Sequence, residues 1–282
     1  MAPPVTERVD AHVHLWNRAT DPQDWIDPAT MPAIARDFGT HDLREMLRAT
    51  GMDRAVLVQA SNSLGESVRL AASDPTVVAG LVCWVDLSGD VAAQLATIGE
   101  GARVPVVGVR HLAHIDPDPE WLLRHEVGYG LEHLEAHGLT FDFVVRDWQL
   151  GQAARVAVEH PGLRFVLDHL GGPYADDADR SVWEAGIRSL AALPNTVAKL
   201  SGLASGHRPG TWSAETFAPV VAAALEAFGP GRLLYGSDWP LAELGGGASV
   251  WREAVDMLLA GLTEGEQDRV LGGAAAEVYS LV

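Results

Sequence analysis

Hydrophobic positions along the chain form short runs that alternate with longer amphipathic stretches. The short runs are rich in β-branched residues, which is typical of strands. Eight of them predict strands, at 8–14, 54–60, 78–85, 104–110, 140–145, 164–169, 195–200 and 232–237. The stretches that follow repeat their apolar residues at helical spacing and predict eight helices, at 42–49, 65–73, 91–101, 119–137, 149–160, 180–193, 214–228 and 250–262.

This alternation predicts an α/β fold with a closed parallel sheet. Strands that alternate with helices pair in parallel through crossovers, and eight such units close a (β/α)8 TIM barrel. We therefore expect one domain over residues 1–282, with one or two extra helices within 263–281 packed outside the barrel. The long polar connection 17–40 should lie over the C-terminal mouth. A doubly wound open sheet is the second architecture, although no GxGxxG motif follows the first strand.

Composition and charge narrow the classes of partner. The chain has 282 residues, of which 48% are hydrophobic, so it can bury a large core and is not a disordered protein. Lys and Arg number 20 against 38 Asp and Glu, a net charge of −18. Nucleic acid and anionic membranes are poor partners for such a surface, because phosphate binding needs clustered basic residues. We expect a small-molecule substrate, and the pattern leaves the oligomeric state open.

Cysteine content and apolar run length predict a cytoplasmic protein. The single cysteine, Cys83, lies inside an apolar run and can form no intramolecular disulfide. No apolar stretch approaches the roughly 20 residues of a membrane span, and the first residues do not have the pattern of a signal peptide.

Polar residues collect at the C-terminal ends of the predicted strands, where barrels carry their chemistry. The first strand ends with His12 and His14, and the two-residue period of a strand places both on one face. The same alternation assigns Val9, Ala11 and Val13 to the opposite face. Two imidazoles are thereby aimed into the mouth.

Two further strand ends complete a candidate metal site. His169 follows the sixth predicted strand and Asp238 follows the eighth. Three histidines and a carboxylate are a suitable set of zinc ligands, and zinc so held acidifies bound water and polarises a carbonyl. The first two histidines alone are weak evidence in a chain with 11 histidines; their convergence with His169 and Asp238 favours metal binding. Asp168 is expected instead to be a structural carboxylate that points away, between strand and helix.

The only lysine, Lys199, lies at the end of the seventh predicted strand. If Val197 fills the barrel interior, strand parity points Lys199 up into the mouth, near Asp238 or the oxygens of a substrate. An exposed surface lysine is the alternative. The mouth position predicts that Lys199→Met lowers kcat/KM about tenfold with little change in Tm.

Other side chains near strand ends are candidates for substrate binding: Arg110, Arg146, His111, Trp16 and Trp239. An arginine fork matches carboxylates and vicinal hydroxyls, although a salt bridge on the rim is nearly as good an interpretation. The indoles could pack against a sugar ring. His111 and His114 could equally be satisfied rim histidines, and Trp84 is expected to fill the core.

Four segments together resemble a known superfamily. They are DAHVHLW at 10–16, LDHLGGP at 167–173, KLSGL at 199–203 and YGSDWP at 235–240. The chain resembles the amidohydrolase superfamily over nearly its whole length. The match is closest to its amidohydrolase 2 branch of TIM-barrel metal-dependent hydrolases, which contains sugar-acid lactonases. The resemblance implies that His12, His14 and His169 are metal ligands or polar site residues, and that Asp238 accepts the proton of the attacking water.

The chain departs from this superfamily where two-metal members hold their second ion. Those members carry a carbamylated lysine or a glutamate at the end of strand four and a histidine at the end of strand five. Arg110-His111 and Val145-Arg146 stand at these places here. The resemblance therefore implies one divalent metal, zinc by preference, or none. A second departure is Gly-Ala-Ala at 273–275, before Tyr279, where the family often has Asn-Ala; we expect it to affect helix packing.

We therefore predict a metal-dependent hydrolase that opens the lactone ring of a sugar acid or a similar hydroxylated carboxylate. Asp238 and His169 are its predicted catalytic residues, and Lys199, Arg110 and Arg146 orient the substrate. Three alternatives stay open. They are a metal-independent lactonase that uses Asp238 as its base, a decarboxylase of the same superfamily, and a non-catalytic protein that binds sugar acids.

Overall fold

Eight parallel strands form one sheet whose order follows the chain. The computed structural model describes residues 7–172 and 180–281. Pro173, the last residue of the LDHLGGP segment, lies outside them. The strands are β1 (Val9–Val13), β2 (Arg54–Val58), β3 (Val78–Cys83), β4 (Val106–His111), β5 (Thr140–Phe143), β6 (Arg164–Leu167), β7 (Thr196–Leu200) and β8 (Leu233–Tyr235). Each lies within two residues of its predicted bounds, so the predicted barrel is confirmed.

Helices follow the strands, and all but the last of them cover the outside of the barrel. They are α1 (Thr40–Thr50), α2 (Leu64–Ala71), α3 (Val91–Gly99), α4 (His125–Ala136), α5 (Leu150–Glu159), α6 (Ser181–Ala191), α7 (Ala214–Phe228), α8 (Ala248–Leu258), α9 (Glu264–Asp268) and α10 (Ala274–Val278). Their apolar faces explain the predicted spacing: in α1, Leu43, Met46 and Leu47 are buried. None of the described helices has the length and apolar content needed to cross a membrane.

The barrel closes between β1 and the residues just after β8. The His14 amide donates to the Trp239 carbonyl (2.7 Å), and the Asp238 amide donates to the His12 carbonyl (2.9 Å). The backbone that closes the barrel is therefore the same backbone that carries His12, His14 and Asp238.

A β-bulge in β1 changes which side chains face inward. Between Asp10 and Val13, β1 holds one residue more than the segment of β2 that pairs with it. Val9 and Ala11 consequently line the barrel interior together with His12, whereas Val13 packs in the outer core. The simple alternation that assigned Val9 and Ala11 to the outer face is wrong, because it assumed an unbroken strand.

The C-terminal segment closes the amino-terminal end of the barrel. Four of its residues join a cluster of apolar side chains from inside the barrel; they are Ala274, Ala275, Val278 and Tyr279. Gly272 packs directly against the backbone before β1, since a Cβ there would lie 2.0 Å from the Glu7 carbonyl oxygen. The expectation that the extra helices pack outside the barrel is wrong for α10, whereas α9 has no buried residue and does not enter the barrel. The small and apolar side chains of α10 fit the open lower end of the barrel.

Candidate active site

A cavity of about 460 Å³ opens at the C-terminal ends of the strands. Its size is in the range of small-molecule sites. Polar side chains on its wall include His14, Arg110, Arg146, Asp168, His169 and Asp238. The predicted location of the site at this end of the barrel agrees with that arrangement.

Three ligand-type atoms converge beside this cavity. His12 Nε2 lies 3.2 Å from His14 Nε2, and Asp238 Oδ1 lies 3.3 Å from His14 Nε2 and 3.7 Å from His12 Nε2. All three side chains are buried, and Asp238 Oδ1 has no hydrogen-bond partner within the described residues. A buried carboxylate oxygen without a donor is unfavourable unless a further group satisfies it.

The donor set fits a zinc ion. Two ligands at about 2.0–2.1 Å from a tetrahedral zinc are about 3.3 Å apart, close to the three separations in this cluster. His14 Nδ1 lies 2.8 Å from the Val58 carbonyl oxygen, which can only accept, so Nδ1 carries the proton and Nε2 keeps a lone pair. A ring oriented by a carbonyl in this way is the usual arrangement of a metal-ligating histidine.

His12 can bind a metal through Nε2 only when its ring proton is on Nδ1. Asp168 Oδ1 lies 3.3 Å from Nδ1 and can accept that proton's hydrogen bond. Lys199 Nζ lies 3.2 Å from the same nitrogen, and an ammonium can only donate. Lys199 thus favours the Nε2–H tautomer of His12. Asp168 favours the Nδ1–H tautomer, and so does Arg110, whose Nη1 lies 3.4 Å from His12 Nε2 and can only donate. Burial lowers the pKa of His12 well below its usual range, so the ring is neutral.

A buried ionic network lies directly beneath these ligands. Lys199 Nζ is 2.6 Å from Asp142 Oδ2 and 2.9 Å from Asp168 Oδ1, and Arg110 Nη1 donates to Asp168 Oδ2 at 2.8 Å. Burial alone would raise the pKa of Asp168, but Lys199 and His12 hold it well below its usual range. Burial raises the pKa of Asp142, although Lys199 opposes that shift. Two cations and two carboxylates therefore balance one another inside the barrel.

Asp168 does not point away from the barrel. It follows Val166 on the inward face of β6 and is 1% exposed, in contact with His12, Arg110 and Lys199. The expectation of a carboxylate between strand and helix is wrong, because the inward parity of Val166 continues one step past the end of the strand.

Lys199 points inward, as the parity of Val197 predicts, but it lies below the cavity rather than on its wall. Its side chain is 0% exposed, and its carboxylate partners are Asp142 and Asp168, not Asp238. Direct contact with a substrate would require this packing to open. The predicted small effect of Lys199→Met on Tm does not fit a fully buried, doubly paired ammonium.

Arg110 and Arg146 occupy different places. Arg110 is 3% exposed and bonds Asp168 and the carbonyl of Gln59, so it supports the site from inside rather than forming a rim salt bridge. Arg146 is exposed on the cavity wall, where His114 and Trp25 also lie. Burial, together with both arginines, lowers the pKa of His114 to about 4. Trp25 belongs to the 17–40 connection, which reaches the mouth as predicted.

His169 and Asp238 sit in backbone conformations that are uncommon outside glycine. Their φ angles are 53° and 59°, in the left-handed region. His169 Nδ1 is 2.9 Å from Ser201 Oγ, and burial lowers the pKa of its ring. Ser205 Oγ donates to Asp238 Oδ2 at 3.1 Å, which leaves Oδ1 directed at the two histidines of β1.

Three of the proposed substrate-binding residues do not line the cavity. His111 stacks on Trp121 with ring centroids 3.7 Å apart and contacts Asp116 through Nε2, so it is a satisfied structural histidine. Trp16 is 1% exposed and donates to the Arg36 carbonyl. Trp239 is 4% exposed and packs in the core.

Four residues that hold the site in place were not singled out from the sequence: Asp142, Ser201, Ser205 and Tyr279. Asp142 lies between Phe141 and Phe143 on β5, and its side chain points into the barrel. A single carboxylate between two aromatic residues of a strand could have indicated a buried functional residue. Ser201 shares the inward face of Val197 and Lys199. Nothing in the spacing marked Ser205 or Tyr279.

Known proteins similar to this chain agree with the geometry. The family model described as Amidohydrolase matches residues 9–281. The L-fucono-1,5-lactonase of Burkholderia ambifaria is 35% identical over 86% of this chain and 83% of its own length. The protein of the same name from Burkholderia multivorans is 31% identical over 97% and 96% of the two chains. A crystal structure of a Burkholderia multivorans amidohydrolase with bound zinc has a TM-score of 0.89 at 30% identity, and the alignment covers 98% of this chain and 100% of that one. With its closed eight-stranded barrel and its His/Asp cluster, the chain belongs to the amidohydrolase family.

Proposed function

We propose that the protein is a lactonase that opens the 1,5-lactone of a 6-deoxy sugar acid of the L-fuconate type. One observation carries the proposal: the convergence of His12 Nε2, His14 Nε2 and the unpartnered Asp238 Oδ1 beside a cavity of about 460 Å³. The names of the two Burkholderia relatives supply the substrate class.

In the proposed reaction, water attacks the lactone carbonyl and Asp238 accepts the proton of that water. The bond between the carbonyl carbon and the ring oxygen then breaks, and the ring oxygen takes the proton from Asp238 to become a hydroxyl of the open acid. Ser205 holds the carboxylate in place through Oδ2. Such a positioned base contributes about 10²–10⁴-fold to the rate. His169 borders the same cavity, and its Nδ1 is engaged by Ser201, so its Nε2 is the ring nitrogen placed to contact the ring oxygen that leaves.

Zinc is the metal that we propose for this site, with His12, His14 and Asp238 as the ligands. When bound, it supplies a Lewis acid for the carbonyl and lowers the pKa of water. His169 shares a separate group of close ligand atoms with His12 and Asp168 and is not among the three atoms that converge on the proposed ion. Arg110 acts from behind by holding Asp168, and the exposed Arg146 is placed to bind substrate hydroxyls or the carboxylate product.

A pH-indicator assay with freshly prepared L-fucono-1,5-lactone tests the proposal. We expect acid release that follows enzyme concentration and exceeds spontaneous hydrolysis. Protein stripped by a chelator should lose activity and regain it with added zinc, and elemental analysis should find about one zinc per chain. Full activity in metal-free protein would replace the zinc mechanism with the metal-independent one that uses Asp238 alone. Release of carbon dioxide from an aromatic acid, or lactone binding without turnover, would overturn the lactonase.

A further inference from the structure

A chain of hydrogen bonds connects the C-terminal segment to a proposed metal ligand. Tyr279 Oη donates to Asp142 Oδ2 at 2.7 Å, and Lys199 Nζ donates to the same oxygen at 2.6 Å. Lys199 Nζ in turn lies 3.2 Å from His12 Nδ1. None of these four side chains is more than 3% exposed. Tyr279 thus reaches the site through two intermediates and does not border the cavity itself.

We propose that Tyr279 is a positioning residue that sets the placement of Lys199 against His12. The inference rests on the proposed function for the role of His12 as a zinc ligand. One oxygen of Asp142 accepts from both the phenol and the ammonium, so the two donors share its negative charge. When the phenol hydroxyl is removed, that oxygen attracts Lys199 more strongly. At 2.6 Å the ammonium cannot come closer to Asp142, so it then donates more strongly to that oxygen and less strongly to His12 Nδ1.

This weaker donation changes which tautomer of His12 is favoured. Donation from Lys199 requires an unprotonated Nδ1, which places the ring proton on Nε2, the nitrogen that faces His14 and Asp238. Zinc binding through Nε2 requires the other tautomer, with Nδ1–H donating to Asp168 Oδ1. Lys199 in its observed position therefore opposes zinc at His12. Tyr279 maintains that opposition by limiting the pull of Asp142.

The chain offers a matched pair of variants. Tyr279→Phe removes only the hydroxyl and keeps the ring, whose centroid lies 5.6 Å from Lys199 Nζ. Tyr235→Phe is the control, because Tyr235 is also fully buried but its hydroxyl has no hydrogen-bond partner within the described residues. Both variants lose one buried oxygen atom, and only one of them touches the network.

Two measurements decide the proposal without any lactone. Competition with a chromophoric chelator should show that Tyr279→Phe binds zinc about threefold or more tightly than the wild type, a modest effect for a group two contacts from the ligand. Nitrogen-15 spectra of the metal-free protein should show the His12 ring shifting towards the Nδ1–H tautomer. Tyr235→Phe should leave both readouts unchanged. Because no substrate is used, either result stands whether or not the protein proves to be a lactonase.

Equal zinc affinity and equal His12 spectra in the two variants would overturn the proposal, as would weaker zinc binding in Tyr279→Phe. Replacement of Tyr279 by p-aminophenylalanine restores an N–H donor on the same ring. It should return both readouts towards the wild-type values. If Tyr279→Phe does not fold, the p-aminophenylalanine variant tests the proposal by itself. The aniline is a weaker donor than the phenol, so this variant should bind zinc more tightly than the wild type. A zinc affinity no tighter than that of the wild type would overturn the proposal.

Discussion

The lower and upper halves of the barrel interior are built from the same strands but from different chemistry. The lower half is filled by aliphatic side chains such as Val166 and Val197 and is closed by Tyr279 and its neighbours. One pleat higher on the same strands stand Asp168 and Lys199, both fully buried and charged. Two residues along a strand thus separate a part that is packed with apolar side chains from a part that organises chemistry. The buried ion pairs of Lys199 with Asp142 and Asp168 form the boundary between the two halves.

The largest expected effect comes from breaking that boundary. Lys199→Met should lower the free energy of unfolding by about 3–5 kcal/mol, because it leaves Asp142 without its buried cation and weakens the charge balance of Asp168. Denaturant titration measures the loss. The double variant Lys199→Met, Asp142→Asn should recover part of it, since one of the uncompensated carboxylates is then neutral. A single variant as stable as the wild type would contradict the paired, buried lysine.

A change in the upper half should affect the rate and leave the fold in place. Asp238→Asn should lower kcat about 10²-fold or more, because the amide cannot accept the proton of water and is a poorer metal ligand. Steady-state kinetics and thermal unfolding, measured on the same preparation, should show a large loss of kcat and a small change in Tm. Turnover close to that of the wild type would move the base to another group.

Gly202 packs behind His169 and offers a test of the upper half alone. Gly202 has a φ of 69°, and a Cβ there would lie 2.4 Å from His169 Nδ1, so Gly202→Ala should displace the imidazole from Ser201. We expect kcat to fall by about tenfold, within the range for a misplaced catalytic group. Gly210→Ala is the control, with a φ of 75° and no atom within 4 Å of the added Cβ. If both variants lose activity equally, backbone strain and not His169 is the cause.

A separate effect is expected on the pH dependence of stability, from histidines near the mouth. Burial lowers the pKa of His12, His111 and His169, and the pKa of His114 falls to about 4. The unfolded chain binds protons at these groups as pH falls below about 6.5, and the folded protein does not. Stability should therefore fall between about pH 6.5 and pH 4. Urea midpoints at pH 7 and pH 5 measure the fall, and His114→Gln should reduce it. Asp10 opposes part of this fall, because burial raises its pKa to about 6. A fall that His114→Gln leaves unchanged would contradict a neutral, buried His114.

The strands, the helices and the strand-end position of the site follow from the sequence, because a buried parallel strand and an amphipathic helix each have a distinctive period. Strand parity also predicted that Lys199 points inward. The same reasoning applied to Val166 would have predicted the inward position of Asp168, so that error was avoidable.

Other features have no local signal. The bulge between Asp10 and Val13 depends on pairing with β2, and the entry of the C-terminal segment into the barrel depends on the shape of a space that no local pattern describes. The position of His111 against Trp121 is likewise set by tertiary packing rather than by its place at a strand end.

The closure between β1 and β8 has a consequence for the protein during its synthesis. The Ser237 amide bonds the Asp10 carboxylate, a contact between residues 227 positions apart. His12 and His14 leave the ribosome early, on a strand whose partner from the far end of the barrel does not yet exist. A prematurely terminated chain that lacks β8 therefore carries two imidazoles without Asp238, the carboxylate that we propose as the base. If Asp238 is the base, hydrolytic activity can come only from chains whose translation has passed it.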